Sequence, residues 1–190
     1  MPVTLEGDGI RLEPMGPQHA QGLYNRGRSP EDWALLPRSC FVDLADTRQW
    51  IDEALEDAAA LPFVIVEAVK GKVVGSTRYL NIRPEHRSLE IGWTWLGQEW
   101  QRTGVNTEVK ALLLTHAFER LGCIRVEFKT DARNSRSQQA LERIGATLEG
   151  VLRNHMIVQG NYLRDSVYFS VTAEEWPEVK ARLLALSERA

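Results

Sequence analysis

The chain has 190 residues, a formal charge of −3 from 23 Lys and Arg against 26 Asp and Glu, and 43% apolar residues. This length and mixture exclude disorder, collagen-like repeats and low-complexity architecture, and predict a single domain over residues 1–190. The slight acidity excludes the electrostatic footprint of a general nucleic-acid binder, and no apolar run reaches the roughly 18 residues of a membrane span. The opening Met1-Pro2-Val3-Thr4-Leu5-Glu6-Gly7-Asp8 lacks the basic and apolar stretches of a signal peptide. Cys40 and Cys123 are too few for a disulfide framework, have no metal-ligand spacing and are expected as small buried residues. These features predict a soluble protein of a reducing compartment, most simply the cytoplasm.

In chain order, Gly9 to Pro14 alternates at period two and predicts a strand, and Pro17 to Arg26 predicts a short helix. Asn25 to Pro37 is rich in breakers but carries Trp33, Leu35 and Leu36, so it reads as a folded connection. Asp46-Thr47-Arg48-Gln49 opens a helix with Trp50, Ile51, Ala54 and Leu55 on one face. Pro62 to Val69 is a β-branched strand, turned at Lys70-Gly71-Lys72 into a partner over Val73 to Ile82. Ser88 to Leu96 follows, with Ile91, Trp93 and Trp95 expected on one face and Glu90, Gly92, Thr94 and Leu96 on the other. An 18-residue helix is expected from Gly104 to Leu121, closed by Gly122.

Ile124 to Phe128 is the next strand. Asn134 opens a helix carrying Ala140, Leu141 and Ile144 and closed by Gly145. Strands over Ala146–Val158 and Tyr162–Val171 follow, and Thr172-Ala173-Glu174-Glu175 is a capping box before the helix of Trp176, Val179 and Leu183. Tight turns between early strands imply antiparallel pairing, while strand, long helix, strand implies one parallel crossover. A doubly wound nucleotide-binding fold needs several such crossovers and is disfavoured.

The chemistry is sought at the junction from Trp95 to Glu108, where a strand enters a short loop and then a long helix. The first amides of a helix lack internal acceptors and sit at its positive end, a ready site for phosphate. Gly104 permits close approach, and Gln101, Arg102, Thr103 and Thr107 add donors. Arg102, Arg136 and Arg143 suit phosphate oxygens.

With Gln101-x-x-Gly104-x-Asn106 at this junction, the chain resembles the GNAT superfamily of acetyl-CoA-dependent N-acetyltransferases. It is most similar to the RimJ/RimL-type branch through Glu90-Ile91-Gly92-Trp93, Asn106-Thr107-Glu108, Ala117 to Gly122, Asn134-x-x-Ser137, Gly145-Ala146 and Leu148 to Arg153. The resemblance covers about residues 5 to 172. It implies an α/β (α+β) GNAT fold: a mixed, mostly antiparallel sheet with one parallel βαβ crossover and helices on both faces. It also implies acetyl-CoA (coenzyme A) as co-substrate without a metal, an amine acceptor that is a protein N-terminus, aminoacyl group or small amine, and a homodimer.

Residue by residue, the resemblance makes Glu90 the base that takes the amine proton and Ser137 the acid for the thiolate. Trp93, Trp95, Leu96, Gln101, Arg102, Thr103, Gly104, Val105, Asn106, Thr107, Asn134, Ser137 and Arg143 fall at cofactor-contact positions. Each has a plainer alternative: Glu90 as a hydrogen-bonded strand carboxylate, Ser137 and Asn134 as helix-terminal caps. Asn106 stands where the family has Gly or Ala, Leu141 where many relatives have an acidic Tyr, and Met156 where the RimL type has an acidic residue. These departures leave a second reading open, a non-catalytic acetyl-CoA-binding sensor or interaction module. Tyr24, Trp33, Arg38, Phe41 and Trp50 lie in the segment that covers the acceptor side in this family, although aromatics at helical spacing are more often core. His86 and His155 are candidate proton relays, with surface or hydrogen-bonded histidines as the plainer reading.

Overall fold

The computed structural model describes residues 3–188. Its elements are β1 (Leu5–Glu6), β2 (Ile10–Pro14), α1 (Ala20–Arg26), α2 (Pro30–Trp33), α3 (Leu44–Glu56), β3 (Leu61–Glu67), β4 (Val73–Arg83), β5 (Ser88–Leu96) and α4 (Val105–Thr115). The second half adds β6 (Arg125–Asp131), α5 (Ser135–Ile144), β7 (Thr147–Val158), β8 (Tyr162–Thr172) and α6 (Trp176–Ser187). All the strands form one sheet in the order β1-β2-β3-β4-β5-β6-β8-β7. Every neighbouring pair is antiparallel except β5 and β6, which α4 connects as the expected parallel crossover.

Central strand β3 is a continuous apolar run because helices cover both its faces. Phe63 and Ile65 join the main core with Val109, Leu113 and Leu114 of α4, Leu141 and Ile144 of α5, and Val179 and Leu183 of α6. Val64 and Val66 face the other way, into a second core under α1 to α3. The sheet thus has an α4 face and an α3 face, as the family resemblance implies.

The local signals are mostly realised. Gly71 takes the left-handed conformation in the β3–β4 turn, with φ of 66°. Thr172 and Glu175 form their reciprocal cap, Thr172 N donating to Glu175 Oε2 at 2.8 Å and Glu175 N to Thr172 Oγ1 at 3.4 Å. The long helix after the junction is α-helical only to Thr115. It continues as a π turn over His116–Arg120, in which Leu121 N donates to His116 O, before Gly122 closes it at φ of 67°. Two short elements carry no periodicity and escape the sequence reading: β1 and the single turn α2.

The aromatic residues of the early third are a core and not an acceptor wall. Trp33, Phe41 and Trp50 are buried under α1 to α3 together with Trp95, and their ring centroids stand 4.9 to 6.1 Å apart. Arg38 lies over Trp33 and Phe41 and bonds Asp46 through Nη2, and Tyr24 packs at the margin. A sheet face that size must be buried, and large rings accomplish it with few residues.

Candidate active site

The site begins with a defect in β5. Gly92 stands opposite Arg78 and Trp95 opposite Ser76, so Trp93 and Thr94 together oppose Thr77. Trp93 is left-handed, with φ of 50°. This β-bulge bends the strand and resets its facing pattern. Ile91 therefore enters the main core while Trp95 enters the second, which corrects the expected shared face of Ile91, Trp93 and Trp95. The bend also parts β5 from β6. Only Ser88, Leu89 and Glu90 pair with Arg125, Val126 and Glu127; beyond them the strands fork.

A cleft of about 620 Å³ fills the fork. Its walls include Trp93, Thr94 and Leu96 from β5, Phe128 and Thr130 from β6, and Asn134, Ser137 and Leu141 from α5. At its upper end lies the loop into α4, with Gln101, Arg102, Thr103 and Asn106 on the wall. The loop is built by short-range bonds: Thr103 Oγ1 donates to Trp100 O and accepts from Val105 N. Glu108 N donates to Gly104 O, while amides of the first helical turn remain without helical acceptors.

Gln101 knits three walls, donating to Asp32 Oδ1 at 2.6 Å and Leu96 O at 2.9 Å and accepting from Arg136 Nη1 at 2.7 Å. Burial raises the Asp32 carboxyl against the lowering effect of that Gln101 bond. Arg143 Nη2 donates to Thr107 Oγ1 at 3.1 Å, tying the end of α5 to the start of α4. Arg102 is exposed on the loop at φ of 61° and, among the described residues, has no carboxylate partner. Three arginines from two elements thus ring one helix N-terminus.

Like Asp131, Glu90 is a buried carboxylate of the fork, 2% exposed and on the α3 face. Its Oε2 accepts from Asn81 Nδ2 at 2.8 Å and lies 3.5 Å from Lys129 Nζ. It lines the cleft, with Met156 and Arg164 from β7 and β8 on the same wall.

The structure brings together most of the residues singled out from sequence and separates others. Gly104, Val105 and Thr107 do not line the cleft. Val105 is in the main core, Thr107 is buried behind Arg143, and Gly104 caps α4. Trp95 lines the cleft, while its ring, 3% exposed, packs on Trp33 in the second core. His86 is exposed beside Glu85, and His155 bonds Ser166 Oγ; neither lines the cleft. Asn134 is a true N-cap, its Oδ1 accepting from Ser137 N at 3.0 Å. Asn134→Ala is expected to lower stability by about 1 kcal/mol, with Asn134→Asp near wild type in thermal melts.

Two residues, Lys110 on the wall and Gln159 behind the segment after α2, have no counterpart among the expected site residues. Lys110 is 7% exposed, and its Nζ donates to Thr94 Oγ1 at 3.1 Å while lying 5.4 Å from the centre of the Phe128 ring. Thr94 Oγ1 in turn shares a hydrogen bond with Thr77 Oγ1 at 2.8 Å. With no carboxylate beside it, burial pulls the Lys110 amine down to about 7. The signal was present in the spacing: Lys110 precedes Leu113 and Leu114 by three and four, on the packed side of α4. Gln159 sits in the β7–β8 turn, and its Nε2 lies within 2.9 Å of the carbonyls of Trp33, Leu36 and Arg38.

Comparison with known proteins adds to this geometry. The family described as Acetyltransferase (GNAT) domain matches residues 10–147. Over 106 residues the chain is 34% identical to YdaF of Bacillus subtilis (strain 168), whose name is that of a ribosomal N-acetyltransferase. That match spans 56% of this chain and 57% of YdaF, little more than half of either. A GCN5-related N-acetyltransferase from Brucella melitensis superposes with a TM-score of 0.92 at 31% identity, over 97% of this chain and 85% of that one. Mycobacterium smegmatis RimJ, in complex with CoA-disulfide, superposes with a TM-score of 0.81 at 25% identity, over 97% and 94%.

Proposed function

Because the chain belongs to the GNAT acetyltransferase family, in its RimJ/RimL-like branch, we propose that it moves the acetyl group of acetyl-CoA to a primary amine by direct attack within the cleft. The observation that carries this reading is the fork itself. An unpaired strand edge leads from an arginine-ringed helix N-terminus to a buried carboxylate.

The residues present fit the co-substrate. The first amides of α4, with Arg102 and Arg143, suit its phosphates. The free main-chain edge of β5 over Trp93 to Leu96 suits the amides of its arm, as a strand edge suits any extended backbone. Asn134 and Ser137 flank that edge from α5. When bound, acetyl-CoA supplies the acetyl group as a thioester. Glu90 takes the proton that the amine must lose, at a carboxylate held in place by Asn81 and Lys129. Amides of the bulged edge donate to the oxyanion.

The acceptor is a protein N-terminus, an aminoacyl group or a small amine, reaching Glu90 from the α3 face. The whole chain is read as one catalytic domain acting in the cytoplasm. Among the described residues no helix is long and apolar enough to cross a membrane. Exposed Val151, Leu152, Ile157 and Leu163 on edge strand β7 and its neighbour support a homodimer.

Thiol release from acetyl-CoA is the test, with Ala- and Ser-initiated peptides and spermidine as acceptors. Release with one of these classes is expected, and binding without release on any amine would establish the sensor instead. Arg102→Ala is expected to weaken CoA binding about tenfold in calorimetry at low salt, and less at high salt.

A further inference from the structure

We propose that Lys110 is the proton donor to the departing sulphur of the co-substrate, working from the α4 face of the fork opposite Glu90. The inference rests on the acetyl-transfer reading and assigns the half of the reaction that the cleft's carboxylates cannot serve.

The sheet forces the division. In β5, Leu89 and Ile91 belong to the main core on the α4 face, so Glu90 between them projects to the α3 face, where Asn81 and Lys129 meet it. After the bulge, Trp95 projects to the α3 face and Thr94 to the α4 face, where Lys110 reaches it. In β6, Phe128 lies on the α4 face and Lys129 on the other. Lys110 Nζ, between Thr94 and Phe128, therefore stands where the two strands part, on the side away from Glu90. A group held in the fork is reached by Glu90 from one face and by Lys110 from the other.

The cleft offers no better donor on that side. Leu141 presents only hydrocarbon. A serine hydroxyl such as Ser137 is a weaker acid than a thiol and relays a proton rather than supplies one. A guanidinium is no proton donor at neutral pH. The buried carboxylates Glu90 and Asp131 project to the other face, so no anion pins Lys110 as a permanent ammonium. Its amine, pulled down by burial, exchanges protons near neutral pH, as proton transfer requires.

The step balances. The amine nitrogen bonds to the acetyl carbon and yields its proton to Glu90. The carbon–sulphur bond breaks, and its electron pair takes the proton of the Lys110 ammonium, leaving a free thiol and a neutral lysine. Solvent then returns a proton to Lys110 and receives one from Glu90.

The test uses Lys110→Met, which keeps the buried stem, and needs no acceptor for its first measurement. The thiol of bound CoA is titrated by the ultraviolet absorbance of its thiolate. In the wild type it should ionise at least about one pH unit lower than in Lys110→Met, because an ammonium beside a thiolate favours the charged form. The second measurement is turnover. Lys110→Met should lose about tenfold to a hundredfold in kcat with the acetyl-CoA KM within threefold, and should lose the fall of wild-type kcat as pH rises past neutral. Thr94→Val, which removes the partner of Lys110 but not its amine, should retain both the thiol shift and the pH limb. Equal thiol titrations in wild type and Lys110→Met overturn the proposal, as does an unchanged pH limb. A wild type that shows the thiol shift but acetylates no amine overturns the acetyl-transfer reading and not the placement of Lys110 at the sulphur.

Discussion

Glu90→Gln is expected to lower kcat by about 10²- to 10⁴-fold, the usual worth of a positioned general base. The exchange leaves the shape of the side chain intact. Its amide oxygen still accepts from Asn81, while Lys129 loses its anion. The proposed phosphate site lies at the other end of the cleft, at the loop from Gln101 to Asn106, which the exchange does not touch. The acetyl-CoA KM is therefore expected to stay within a few-fold. Steady-state kinetics with the best acceptor, beside CoA calorimetry, separates the two effects. A variant with wild-type kcat would return Glu90 to the status of a strand carboxylate that merely holds Asn81 and Lys129.

Lys110→Met is expected to stabilise the fold most at low pH, by on the order of 4 kcal/mol at the upper limit, with the gain fading as pH rises towards 10. Burial pulls the folded-state amine down to about 7, while in the unfolded chain it keeps a proton to about 10.4. Between those values folding expels a proton, so the wild type gains stability as pH rises through that window. Below it both states are protonated, and the folded state bears the full cost of a buried charge. Methionine has no such cost at any pH. Denaturant unfolding of both proteins from pH 6 to about 10 checks this, and parallel curves across that range would show a solvated amine.

Much of the scaffold was legible. The alternation of Ile124 to Phe128, the β-branched run of Pro62 to Val69 and the capping box at Thr172 each carry their element in local chemistry. The site loop from Gln101 to Asn106 was legible for the same reason, a strand-to-helix junction with glycine and donors. What was not legible depends on register. Nothing in Glu90 to Leu96 announces that Trp93 and Thr94 share one partner, so strict alternation places Trp95 on the face of Ile91. The bulge sends that ring into the second core instead. A lysine on a helix reads as solvent-facing, and the spacing of Lys110 to Leu113 and Leu114 gives its side of the helix but not its surroundings. Only the fork, a tertiary feature, shows that its amine ends among Thr94 and Phe128. The aromatic early third misled in the opposite sense, since rings at helical spacing fit a wall and a core equally well.

The side chain of Gln159 has a consequence for entry. Ala34, Leu35, Leu36 and Pro37 line the cleft after α2, and the amide of Gln159, from the β7–β8 turn, donates to the carbonyls of Leu36 within that segment and of Trp33 and Arg38 on either side of it. Moving that segment outward for a bulky guest means surrendering those bonds together, so a residue outside the cleft wall steadies one side of it.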